Sequence, residues 1–103
     1  MIGLIKKIFS KSAGTNFAEL IADGAVIIDV RAKGEYAGGH VKNSVNIPLN
    51  ELPEQLKRLN PERVIITCCA SGMRSASAKN ILQSKGFRVY NGGSWSSLKN
   101  YMQ

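Results

Sequence analysis

Val64-Ile65-Ile66-Thr67-Cys68-Cys69-Ala70-Ser71-Gly72-Met73-Arg74-Ser75 is the stretch that decides how this chain folds. Its first half is an unbroken apolar run, the signature of a strand covered on both faces. Beyond the glycine, Ala76, Ala78, Ile81 and Leu82 fall at helical spacing. A strand that ends where a helix begins places the cysteines at the carboxyl edge of a sheet. There they face backbone N–H groups at a helix N-terminus. Such a turn cradles an anion, and the helix field favours thiolate over thiol. A thiolate inside a ring of amide donors is equipped to attack sulfur or phosphorus.

Reading outward, strands and helices alternate. Thr15 serves as N-cap for a helix over 16–23, with Gly24 as its terminator. Ala25-Val26-Ile27-Ile28 is a second continuous apolar strand, followed by a short helix over 32–37 and then Gly38-Gly39. Val45-Asn46-Ile47 is a short strand, and Pro53 opens a helix that runs to about Leu59. The central strand spans 63–68, the next helix 74–85 with Gly86 as its C-cap, and a last strand 88–90. Gly92-Gly93 leads to a C-terminal helix holding Trp95, Leu98 and Tyr101. This order predicts an α/β fold: an open, mostly parallel sheet of four to five strands with helices on both faces. Ligands then bind beyond the carboxyl ends of the strands, where the cysteine turn lies.

The chain has 103 residues, enough for one domain around a single core. Its 44% apolar content excludes a disordered chain. Two adjacent cysteines staple nothing, so they are kept for reactivity in a reducing compartment, and a cytoplasmic location is expected. The net charge is +7, and all seven acids lie at or before Glu62. Residues 63–103 hold six basic residues and no acid, so the half with the cysteine turn attracts small anions. Nucleic acid is not expected, because there is no basic run, aromatic series or zinc spacing. Residues 1–12 stand apart as a basic amphipathic segment, with residues 13–103 as the domain proper. Met1, Leu4, Ile5 and Ile8 share one face and Lys6, Lys7 and Lys11 the other. Packing on its own domain is preferred over membrane contact, since one short helix binds lipid only marginally. Export is not expected, because only Ile8-Phe9 follow the paired lysines.

From about Thr15 to Trp95 the chain resembles a single-domain rhodanese, a sulfurtransferase of the rhodanese-like superfamily. Four segments in order carry the resemblance: Ile28-Asp29-Val30-Arg31 with Glu35 and Gly39-His40-Val41; Asn46-Ile47-Pro48; Cys69-Ala70-Ser71-Gly72-Met73-Arg74-Ser75, which fits Cys-x-x-Gly-x-Arg-Ser; and Gly92-Gly93-Ser94-Trp95, a closing Gly-Gly-Trp with one residue inserted. The resemblance implies a three-layer rhodanese-like fold and a persulfide mechanism. Cys69 takes a sulfane sulfur from thiosulfate or a persulfide donor and passes it to a thiophilic acceptor, by ping-pong chemistry. Ala70, Ser71, Gly72, Met73, Arg74 and Ser75 would form the substrate cradle, and no metal or organic cofactor is implied. Asp29, Arg31 and His40 read as a structural network near the site rather than as catalysts.

Two alternatives stay open. Cys68 stands at Cys-x5-Arg spacing from Arg74, the pattern of thiol phosphatases and of arsenate chemistry. Gly72 counted from Cys69, and Thr67 in place of a histidine before Cys68, favour Cys69. Cys68 then points to the opposite face, because strand side chains alternate. The other alternative is a low-turnover persulfide carrier or binding module that exchanges sulfur with a protein donor or acceptor. Ala70, Ser71 and Met73 supply no positive charge, and Met73 suits an apolar or thiol-bearing donor.

Overall fold

The computed structural model describes residues 15–102, so the amphipathic segment 1–12 lies outside the described residues. Four strands form one parallel sheet: β1 (Val26–Asp29), β2 (Val45–Asn46), β3 (Ile65–Cys69) and β4 (Val89–Ser94), in the order β2-β1-β3-β4. From β1 the chain steps outward to β2. It then crosses back to β3 and steps outward to β4. The direction of winding therefore reverses between β1 and β3, and a ligand crevice opens at the carboxyl ends beside such a reversal.

Alternation along β3 sorts its side chains into two layers. Ile65 and Cys69 join Ile28, Val30, Ile47, Leu52, Ala78 and Leu82 on one face. Ile66 and Cys68 join Ile27, Val41 and Leu98 on the other. The first layer is roofed by α3 (Leu52–Gln55) and α4 (Met73–Ser84). The second is roofed by α1 (Phe17–Ala22) and α5 (Trp95–Leu98). A short α2 (Lys33–Ala37) follows β1. The chain is thus a three-layer α/β fold whose β3, flanked by strands and helices, is buried at all five positions.

Several boundaries differ from the sequence expectation. Asn16, not Thr15, caps α1, because its Oδ1 accepts the Glu19 N–H at 3.0 Å, the third residue of the first turn. The helix expected from Pro53 to Leu59 is split. A 3-10 turn (Leu49–Glu51), α3 and a second 3-10 turn (Leu56–Arg58) replace it. β3 begins and ends later than 63–68, and α4 ends at Ser84 rather than Lys85. The last strand is longer than 88–90 and takes in Gly92 and Gly93. Thr67 pairs with Asn91 and Cys69 with Ser94, so β4 carries one extra residue opposite the cysteine.

Candidate active site

Cys69 closes β3, and the backbone then turns through Ala70 and Ser71 to Gly72, which caps α4. Gly72 sits at φ +105, a left-handed conformation that a side chain would strain. No side-chain oxygen caps α4; the sulfur of Cys69 takes that place. Its Sγ accepts the N–H of Gly72 at 3.0 Å and of Ser75 at 3.4 Å, while the thiol donates to Ser75 Oγ at 3.5 Å. Burial pushes the Cys69 thiol up. The Ser75 hydroxyl and the N–H groups of Ser75, Gly72 and Ser71 outweigh that, and its pKa ends below the ordinary thiol value. The anionic sulfur is therefore the form this turn is shaped to hold.

Cys68 has the opposite environment. Its side chain packs with Ile27, Ile66 and Leu98. Burial first, and the Asp29 carboxylate second, push its thiol up to about 12. The hydrogen-bonding N–H groups of the turn converge on Cys69, so a cradle centred on Cys68 does not form.

Around the cysteine, Ala70, Ser71 and Met73 are exposed, Gly72 and Arg74 half-buried, and Ser75 buried. Arg74 does not lean over the sulfur. Its guanidinium grips the Glu35 carboxylate of α2 with two bonds, Nη1–Oε1 at 2.7 Å and Nη2–Oε2 at 3.0 Å. Arg31 is buried against Asp29, donating from Nε at 3.0 Å and Nη2 at 2.8 Å, and Nη2 also reaches the Gly39 carbonyl at 2.6 Å. The Arg31 guanidinium lies 4.7 Å from the centre of the Trp95 ring. Asp29 and Arg31 thus tie β1 to the loop after α2. His40 is exposed, stacks on Tyr36 at 3.8 Å, and its Nδ1 lies 2.8 Å from the Tyr36 carbonyl. It joins that same loop rather than the cysteine. Among the described residues no cluster of His, Cys, Asp or Glu is arranged to hold a metal.

A model of the rhodanese-like domain family matches residues 14–99. This chain belongs to the rhodanese-like family. A thiosulfate sulfurtransferase of Stutzerimonas stutzeri is 33% identical over 64 residues, covering 62% of this chain and 59% of that one. A sulfurtransferase of Allochromatium vinosum is 26% identical over 89 residues, covering 85% and 81%. The crystal structure of a rhodanese-related protein from Thermoplasma volcanium superposes with a TM-score of 0.72 at 32% identity, covering 84% of this chain and 90% of that one. Alignments with three further curated relatives cover 63%, 54% and 14% of those proteins' lengths, so the chain spans less than two thirds of each.

The rhodanese-like turn leans on two side chains to which the sequence assigned no part in holding it. Asn91 accepts from the Ser75 hydroxyl at 2.6 Å and from the Gly93 N–H at 2.9 Å, and donates to the Gly72 carbonyl at 3.2 Å. Thr67 Oγ1 donates to the Ser75 carbonyl at 2.9 Å. Together they hold both ends of the turn from β4 and β3. A polar residue inside an otherwise apolar strand was the available signal for Thr67. For Asn91 the signal was obscured, because Asn-Gly-Gly reads as a turn.

Proposed function

We propose that this chain is a sulfurtransferase that carries sulfane sulfur as a persulfide on Cys69. The observation that carries the reading is the Cys69 sulfur itself, buried yet accepting the N–H groups of Gly72 and Ser75 and in contact with the Ser75 hydroxyl, which together lower its pKa. The Cys69 thiolate attacks the outer sulfur of thiosulfate. A Cys69 S–S bond forms, the donor S–S bond breaks with its electron pair, and sulfite leaves. An acceptor thiolate or cyanide then attacks the terminal sulfur, and the Cys69 thiolate is restored. No general base is invoked, since the lowered pKa and the N–H donors favour the thiolate as nucleophile. The N–H groups of Ser71, Gly72 and Ser75 solvate the charge in each state.

Met73, 78% exposed, presents a polarizable apolar side chain one residue from the turn. That favours a low-molecular-weight persulfide or a protein partner as physiological donor or acceptor over thiosulfate. Free cysteines and thiolate chemistry suit a reducing cytoplasm. The test is sulfite release from thiosulfate with cyanide as acceptor. Cys69→Ser is expected to abolish release, and Cys68→Ser to retain it. Release that survives Cys69→Ser and disappears in Cys68→Ser would overturn the reading.

A further inference from the structure

Arg74 is the only charged residue between Cys69 and Ser75, and its charge is already engaged. Glu35 holds both of its terminal nitrogens, and Glu35 is itself pinned, because Oε1 also accepts the Ala32 N–H at 3.0 Å. The carboxylate is therefore fixed at the start of α2 and keeps the guanidinium there. The neighbouring cation, Arg31, is engaged by Asp29 in the same way and is 4% exposed. The Arg74 and Glu35 side chains are 38% and 39% exposed, so the pair is open to solvent, and Arg74 lies in the turn that follows Cys69, five residues on. The bonds to Arg74, and next the Ala32 N–H, hold the Glu35 carboxyl down at about 2, so it stays charged throughout the neutral range.

We infer that Glu35 determines which donor charge the site accepts. By clamping Arg74 it makes the rim of the cysteine turn electrically neutral, which selects against small dianions and for donors of one negative charge or none. This rests on the sulfur-transfer reading for its choice of substrates. The ion pair itself is independent of that reading.

Two donors of similar reacting end separate the charge effect: thiosulfate, a dianion, and methanethiosulfonate, a monoanion. In each case Cys69 takes the terminal sulfur, and sulfite or methanesulfinate leaves with the bonding electrons. Glu35→Gln keeps the size of the side chain and one acceptor oxygen, and removes the charge and one of the two bonds to Arg74. It is expected to raise kcat/KM for thiosulfate roughly three- to tenfold over any change for methanethiosulfonate, mainly through KM, with the difference shrinking in high salt. Glu35→Ala, which also releases Arg74 from its anchor, should shift the ratio in the same direction. Glu19→Gln, the same charge change on α1, should leave it unmoved. Equal changes for both donors, a fall confined to kcat, or an equal shift in Glu19→Gln would overturn the proposal.

A readout free of sulfur chemistry separates the two claims. Iodoacetate is an anion and iodoacetamide is neutral, and mass mapping reads alkylation at Cys69. Glu35→Gln should raise the iodoacetate-to-iodoacetamide rate ratio several-fold. A raised ratio in a protein that moves no sulfur would sink the sulfurtransferase reading and leave the charge selection standing. Sulfur transfer with an unmoved ratio in both assays would sink the charge selection alone.

Discussion

Two adjacent cysteines acquire opposite chemistry because a strand turns successive side chains to opposite faces. Cys69 meets the N-terminal donors of α4, and Cys68 meets aliphatic carbon and the field of Asp29. Each placement has a pH signature. Below-normal acidity at Cys69 means that its alkylation rate should climb with pH through a midpoint under the ordinary thiol value of 9.0. Cys68 is raised to about 12, so between pH 9 and 12 the unfolded chain has lost a proton that the folded one retains. Stability from this group is full below the unfolded value and is lost as pH rises through that window, at most about 1.4 kcal/mol per pH unit. Urea melts of wild type and Cys68→Ala across this range should diverge, with the variant losing less stability. Parallel slopes would contradict the assigned burial.

At the scale of elements, the site depends on β4 as much as on the turn. The extra residue in β4 brings Gly92 against β3 and α5. A Cβ there would lie 2.8 Å from Ile66 Cγ2, 2.9 Å from the Thr67 carbonyl oxygen and 3.1 Å from Leu98 Cδ2. The carbonyl belongs to the strand that carries both cysteines and cannot step aside cheaply. Gly92→Ala should therefore cost about 1–3 kcal/mol in denaturant melts and loosen the seat of Asn91. Unchanged stability would show that β4 is not packed as tightly as described. These elements were unevenly legible in the sequence. Val64-Ile65-Ile66 announced β3, and the spacing of Ala78 and Leu82 announced α4, because burial on a regular element leaves a period. Asn91-Gly92-Gly93 gave a turn signal that strand pairing overrode, since the bulge opposite Cys69 needs small residues. The clamp of Arg74 by Glu35 joins residues 39 apart in sequence, and no local pattern encodes such a contact.

Over the whole molecule, the winding order places the carboxyl ends of β1 and β3 side by side, with Asp29 paired to Cys68 in register. One end of the sheet thus gathers the cysteine turn, the Asp29–Arg31 brace and the Glu35–Arg74 pair. Alternating strands and helices made this architecture readable from sequence, and the cysteine turn marked which end carries the chemistry. The charge bias of residues 63–103 was readable too, but its meaning changes once Arg74 is seen paired. Within that half Arg74 is paired with Glu35, so its charge is offset beside the turn. Whether the gathered groups serve sulfur transfer is decided most directly by intact mass after brief exposure to thiosulfate or glutathione persulfide. Wild type and Cys68→Ser should each gain one sulfur atom, and Cys69→Ser none. An adduct that depends on Cys68 instead, or no adduct on any of the three, would contradict a persulfide on Cys69.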